Sequence, residues 1–200
     1  MCGIFGYLNY GNIVENKDLK EVLKALSYES TIRGTDATGI AFVNNKGNII
    51  IQKAPKSAFD FKLNFSDSMP KVVIGHTRHT TQGSEKHNFN NHPFQGEAGR
   101  DSFALANNGI LYNDDELRYK SQLPETKIKT DSYVAAQLLE QEKYLNVNAM
   151  QKMAEAVQGS FCFTILDNSI NLYIVKGDNP VTIIHNKQLK LYLYASTDKI

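Results

Sequence analysis

The sequence predicts an α+β fold built on antiparallel sheets. Three observations predict it. Strand-like segments rich in β-branched and aromatic residues recur along the chain. Short turn signals join several of them in the manner of hairpins. Helical periodicity falls between groups of strands, not after every strand, so a doubly wound parallel sheet does not fit.

The strands are read at residues 2–9, 40–43, 48–53, 71–76, 102–106, 109–112, 160–167, 171–175, 181–185 and 189–195. Turn signals NNKGN (44–48), DNS (167–169) and KGDNP (176–180) separate several of these. Helical spacing over 17–30 places Leu19, Val22, Leu23 and Leu26 on one face. A second helix over 131–144 carries Val134, Leu138 and Leu139, with Asp131 or Thr130 at its N-cap. A third covers 148–157. There is no internal repeat, low-complexity tract or linker. The last strand-like stretch alternates and then stops, the pattern of a fragment or of a short family member.

Composition narrows the function. The chain has 200 residues, enough for one domain with a sizeable core. The hydrophobic fraction of 42% and charged fraction of 22% are ordinary for a globular protein. A formal net charge of +1, without a Lys/Arg run, gives no basic surface for nucleic acid. No apolar stretch approaches the ~20 residues of a membrane span, and the N-terminus has no signal-peptide pattern. The expectation is cytoplasmic. Cys2 and Cys162 are expected to stay unpaired in a reducing cytosol. Cys162, in SFCFTILD, reads as a small buried hydrophobe.

Cys2 heads the apolar run MCGIFGY. Methionine aminopeptidase removes Met1 when the next residue is small, so the mature chain would begin with a residue carrying both a thiol and a free amine. The ordinary pKa of an α-amine (~7.7–8) lies close to that of a thiol (~8.5), so proton transfer between them near neutral pH costs little. Such a nucleophile needs no separate histidine base. A small residue at position two is common in unrelated chains, so the feature has force only in company.

Three further stretches supply the company. GHTRHTTQGSEKHNFNNHPF (75–94) follows an apolar strand. Arg78, at that strand's end, reads either as a structural ion pair or as a bidentate fork for a carboxylate. Four of the five histidines lie in this stretch, His76, His79, His87 and His92. Their spacing matches no metal signature, so no metal is expected. His76 and His92 are expected to bond loop backbone, and His79 to project near Arg78. In FALANNGILYNDDELR (103–118), Asn108-Gly109 reads either as a type I′ hairpin turn or as an oxyanion hole. One oxyanion donor is typically worth ~3–4 kcal/mol in the transition state. In KTDSY, Asp131 either caps a helix or binds an ammonium group. A thiol, an oxyanion hole, a carboxylate fork and an ammonium ligand together fit an α-amino acid with a side-chain carbonyl. Glutamine is the leading candidate, and asparagine stays open.

These motifs resemble the class II glutamine amidotransferases, the N-terminal-nucleophile type. The match runs through MCGIFGY, RGTDATGIAF (33–42), GHTRHTTQG (75–83), NNHPF (90–94), NNGILYNDDELR (107–118) and KTDS (129–132), with weaker likeness to YAST near the end. The resemblance implies a four-layer αββα sandwich of two antiparallel sheets, the Ntn-hydrolase fold. It implies that Cys2 attacks the glutamine amide, forms a γ-glutamyl thioester and releases ammonia, without a cofactor. Asn108 and Gly109 would form the oxyanion hole, Arg78 would hold the α-carboxylate and Asp131 the α-amine. Arg33 would support the nucleophile loop, and Thr81 and Gln82 would line the pocket. The chain departs from relatives at His79, often aromatic, at Gln82, a histidine in some, and at Asn107, often histidine.

The implied unit is one glutamine amidotransferase type 2 domain over 1–200, with no synthase domain following. The implied partners are L-glutamine and an ammonia-accepting synthase domain or subunit, with oligomerisation left open. Rival readings are an N-terminal-nucleophile amidohydrolase for another amide and a non-catalytic regulatory module.

Overall fold

The computed structural model describes residues 2–65 and 68–200. Removal of Met1 concerns a residue outside these. In chain order the elements are β1 (Gly3–Asn9), α1 (Asn16–Glu29), β2 (Ala37–Val43), β3 (Ile49–Ala54), β4 (Val72–Arg78), β5 (Phe94–Ala98), β6 (Asp101–Asn107) and β7 (Ile110–Leu111). Then follow α2 (Asp114–Lys120), α3 (Tyr133–Glu140), α4 (Val147–Ala156), β8 (Gly159–Ser160), β9 (Cys162–Asp167), β10 (Leu172–Lys176), β11 (Thr182–Asn186) and β12 (Leu191–Ala195).

Two antiparallel sheets organise them. One has six strands in the order β11-β12-β1-β4-β2-β3, and the other has four, β10-β9-β6-β5. Strand alternation sorts the side chains into three apolar layers. On β1, Phe5 and Tyr7 face α1 and meet Leu19, Leu23 and Leu26. Ile4 faces the other way, into the gap between the sheets, with Ala41 and Ile74. The second sheet fills that gap with Ala104, Ala106, Cys162 and Leu166. Its opposite face, Phe103, Leu105, Phe163 and Ile165, packs on α3 and α4 through Val134, Ala135, Leu139, Met150 and Met153. The layering is α, β, β, α, as the family resemblance implied.

Helix formation follows burial. Helix α1 carries its apolar stripe toward the first sheet. Helix α4 is capped by Asn146, whose side chain accepts from the Ala149 N–H at 3.0 Å. Two elements escape the sequence reading. Strand β5 (FQGEA) is short and half polar. Helix α2 has only seven residues, too few for a periodic pattern. Its signal is electrostatic, with Asp114, Asp115 and Glu116 in the first turn and Arg118 and Lys120 in the last.

Other boundaries shift. The segment read as one strand over 160–167 is broken at Phe161 into β8 and β9. Strand β7 pairs with β8, while β6 pairs with β5 and β9, so Asn108-Gly109 does not close a hairpin. Cys2 and Cys162 are both free thiols, and Cys162 is fully buried as expected. Among the described residues no helix is long and apolar enough to cross a membrane.

Gly6 shows how closely the first sheet packs. A Cβ there would run into the Val73 carbonyl oxygen and the Tyr194 side chain. Gly6→Ala is expected to destabilise the fold by about 2–3 kcal/mol, read as a lower urea midpoint. An unchanged midpoint would contradict this packing.

Candidate functional site

The register of β1 against β4 builds the site. Gly3 lies opposite Thr77, so the start of β1 stands beside the end of β4. Cys2 and Arg78, one residue beyond that pair on each strand, become neighbours. Ala37 at the start of β2 lies opposite Arg78, which brings the 33–36 loop to the same edge. The second sheet delivers Asn107 and Asn108 at the end of β6.

The Cys2 thiol is half-buried and donates to the His79 carbonyl oxygen at 3.5 Å. Burial pushes its pKa up, while a backbone hydrogen bond at His79 and the Arg78 charge pull it back. Arg33 ties the nucleophile to the second sheet. Its Nε donates to the Cys2 carbonyl at 3.1 Å and a terminal nitrogen donates to Asn108 Oδ1 at 3.4 Å. Arg33 thus contacts the Cys2 main chain and the Asn108 side chain at once.

Asn108 is fully buried and held on all sides. Its main chain exchanges two hydrogen bonds with Cys162, at 3.0 and 2.9 Å. Its carbonyl also accepts from Asn179 Nδ2 at 2.6 Å. Because Arg33 can only donate, Oδ1 of Asn108 must face it, which turns Nδ2 the other way. That Nδ2 is buried and has no hydrogen-bond partner in the structure. Leaving such a donor unpaired costs about 1–3 kcal/mol, an arrangement that favours a ligand acceptor. Gly109 follows, and a Cβ there would run into the Ser160 carbonyl oxygen. One cavity of about 210 Å³ is walled by Cys2, Thr81, Gly109, Ile110, Ser160 and Asn179.

Arg78 is 2% exposed. Its guanidinium donates to Asn91 Oδ1 at 2.6 Å, to the carbonyls of Gln82 and Gly83 at 2.6 and 2.7 Å, and to Thr130 Oγ1 at 3.3 Å. Among the described residues no carboxylate lies in ion-pair contact with it, so the structural ion-pair reading is not what the geometry shows. Asp131 is 2% exposed, and its Oδ2 accepts from the Leu111 N–H at 2.6 Å. Burial raises its pKa, and the Leu111 and Ser132 N–H groups oppose that. The carboxylate thus reaches across to β7, beyond the helix-capping place considered for it.

The remaining expectations divide. Thr81 lines the cavity. Gln82 does not; its Nε2 donates to Asp114 Oδ2 at 3.2 Å, in a separate cleft with Arg118 and Lys129. Its main chain serves the site by holding Arg78. His79 is exposed and enters through its carbonyl. His76 Nε2 donates to the Asn107 carbonyl at 3.0 Å, a backbone contact as expected but to the end of strand β6 and not to a loop. His92 instead pairs with the Ser132 hydroxyl at 2.9 Å. Asn91, Ser160 and Asn179 were not singled out from the sequence. Asn91 lay inside NNHPF and Asn179 inside a turn signal, and neither type nor spacing marks them further.

Comparison with known proteins identifies the family. Residues 76–200 match the glutamine amidotransferase domain family. The chain belongs to that family. This amidotransferase domain is 32% identical over 191 residues to glutamine–fructose-6-phosphate aminotransferase (isomerizing) of Staphylococcus epidermidis, covering 92% of the chain and 30% of that protein. The Staphylococcus aureus enzyme of the same name is 33% identical over 190 residues, with the same coverage. The domain therefore spans about a third of the length of these curated relatives. Among solved structures, glutamine PRPP amidotransferase from B. subtilis superposes with a TM-score of 0.78 at 21% identity, over 98% of this chain and 42% of that one. A glutamine aminotransferase class-II domain protein from Silicibacter pomeroyi gives 0.59 at 14% identity, over 100% and 88%. These two likenesses are of fold, and they agree with the layering described above.

The two thiols of the domain should react differently. Cys162 is fully buried and its pKa is pushed up to about 11 by burial. Iodoacetamide near pH 8 is expected to add once, at Cys2, with a rate that climbs as pH rises through the thiol's raised pKa. Intact-mass analysis with peptide mapping reads this, and an adduct at Cys162 of the folded chain would contradict it.

Proposed function

We propose that the domain hydrolyses L-glutamine to glutamate and ammonia through Cys2. The observation that carries this reading is the shared cavity. The thiol and Gly109 wall the same space, and the unpartnered amide of Asn108 is held next to Gly109. An amide carbonyl seated there would place its carbon near sulfur and its oxygen near two donors.

The step order follows from the groups present. With Met1 removed, the Cys2 amine takes the thiol proton, and sulfur attacks the side-chain carbonyl carbon. The Asn108 amide and the Gly109 N–H stabilise the oxyanion. Collapse breaks the carbon–nitrogen bond, and the Cys2 ammonium returns the proton to the leaving ammonia. A water then attacks the thioester while the same amine takes its proton, the carbon–sulfur bond breaks, the ammonium returns the proton to sulfur, and glutamate departs. Arg78 would hold the substrate carboxylate and Asp131 its ammonium. No step in this sequence needs a cofactor or metal.

The ammonia acceptor is proposed to lie on a synthase domain or subunit. The names of the relatives support a coupled reaction, since each pairs glutamine with a second substrate, fructose 6-phosphate or PRPP. We place the domain in the cytoplasm, consistent with the reducing environment that a free terminal thiol requires.

Three substitutions test the reading. Cys2→Ala is expected to abolish ammonia release from glutamine, and retained activity would sink the mechanism. Asn108→Ala should lower kcat by ~10²–10³ with a smaller change in KM, as removal of one oxyanion donor does. Arg78→Lys should raise KM for glutamine about ten- to a hundredfold, because a point charge replaces a fork. An unchanged KM would remove Arg78 from carboxylate binding.

A further inference from the structure

Lys53 is a cation that the steps above do not use. It lies on β3, half-buried, with its Nζ donating to the carbonyls of Asn91 and Pro93 at 2.6 and 3.0 Å. It also sits over the Phe94 ring, 5.3 Å from the centroid. Asn91 is the shared piece. Its main-chain oxygen takes Lys53, and its side-chain oxygen takes Arg78 at 2.6 Å. The same side chain donates to the Glu85 carbonyl at 2.8 Å and to Asn88 Oδ1 at 3.2 Å, so Asn91 has little freedom to turn.

The two cations therefore stand on one asparagine. Among the described residues neither has a carboxylate in ion-pair contact. Glu85, Asp131 and Asp36 act on Arg78 only from farther away. The other titratable groups facing Lys53 are His76 and His92, whose rings lie 4.2 Å apart. Both are kept neutral by burial and by the two cations, His76 with a pKa near about 3. Like charges so close are unfavourable unless an anion enters.

We propose that Lys53 is a positioning residue for the substrate α-carboxylate, fixing Arg78 through Asn91 and adding a second positive charge behind that fork. The inference rests on the reading of Arg78 as the carboxylate fork. It accounts for a half-buried lysine aimed at two main-chain carbonyls next to an already cationic site.

Burial, and secondarily the Arg78 charge, lower the Lys53 pKa to about 8. This allows the charge to be separated from the scaffold. A neutral amine keeps two N–H donors, enough for both carbonyls, and loses only its charge. Glutamine should then bind more weakly as pH rises through about 8, because Lys53 is protonated below that value and neutral above it.

The test uses the Cys2→Ala chain, which binds without turnover, and calorimetric Kd values for L-glutamine. At about pH 7, adding Lys53→Met should weaken binding about tenfold, and adding Lys53→Arg should restore most of it. Between about pH 7 and pH 9, Kd should rise more steeply with Lys53 present than with Lys53→Arg. The ligand's own ammonium titrates equally in both, so the difference isolates Lys53. The pH series in the Lys53 chain needs no substitution at residue 53 and stands if the Met variant fails to fold. Equal Kd values for Lys53→Met and its parent, or parallel pH curves, would overturn the inference while leaving the glutamine reading intact. No glutamine binding by Cys2→Ala at any pH would overturn both.

Discussion

The pairing of β1 with β4 is the constraint on which the site depends. A ladder of antiparallel hydrogen bonds from Gly3↔Thr77 to Leu8↔Val72 fixes where each strand ends. A slip of one residue would turn Phe5 and Tyr7 away from α1 and drive Ile4 out of the gap between the sheets. The buried faces forbid it. Because the register cannot slip, the residue before Gly3 and the residue after Thr77 must lie side by side. The core brings Cys2 and Arg78 side by side, and their own hydrogen bonds then hold the side chains.

The second half of the site comes from the other sheet, and its alignment is a separate problem. The two sheets pack through apolar side chains, Ile4, Ile74 and Leu166 among them, and are aligned more firmly where something polar crosses between them. Arg33 crosses, bonded to the Cys2 carbonyl on one side and Asn108 on the other. His76 crosses a second time, from β4 to the Asn107 carbonyl. Both contacts land on the end of β6, beside the unpartnered amide. Asn179 and Cys162 then grip the Asn108 main chain from behind. The donor is thus fixed on the protein side, the preorganisation that the oxyanion role proposed for Asn108 would need.

The layered α+β architecture was legible because β1, β6 and β9 are built on apolar runs, GIFGYL, FALA and CFTIL, bounded by turn signals. The residues with unusual chemistry were legible for a different reason: a terminal cysteine, a strand-end arginine and an Asn-Gly pair are rare types in telling places. What was not legible depends on contacts distant in sequence. Gln82 reads as a pocket residue, yet Asp114, 32 positions away, draws its side chain into another cleft. Asn108-Gly109 carries the composition of a hairpin turn, but β7 finds its partner in β8, near residue 160. Lys53 looks like a solvated edge-strand lysine until the 91–93 loop folds over it. In each case the local pattern is satisfied by more than one structure, and tertiary packing selects among them.

The charged and polar groups of the site share one electrostatic circumstance, burial. The thiol is raised by burial, the Asp131 carboxyl is raised by burial, and Arg78 is buried without a contacting anion. Asn108 holds a donor with nothing to donate to. Each costs stability, and no part of the site itself returns it. The surrounding ladders and the three apolar layers tolerate the cost. On the function proposed above, a free α-amino acid bearing a side-chain amide would answer these groups at once, with its carboxylate at Arg78, its ammonium at Asp131 and its amide oxygen at Asn108. A peptide would lack the free termini, and an acyl substrate would lack the ammonium. On that reading the cost of burying these groups would also be a source of selectivity, because only a ligand that answers every one of them gains the full binding energy.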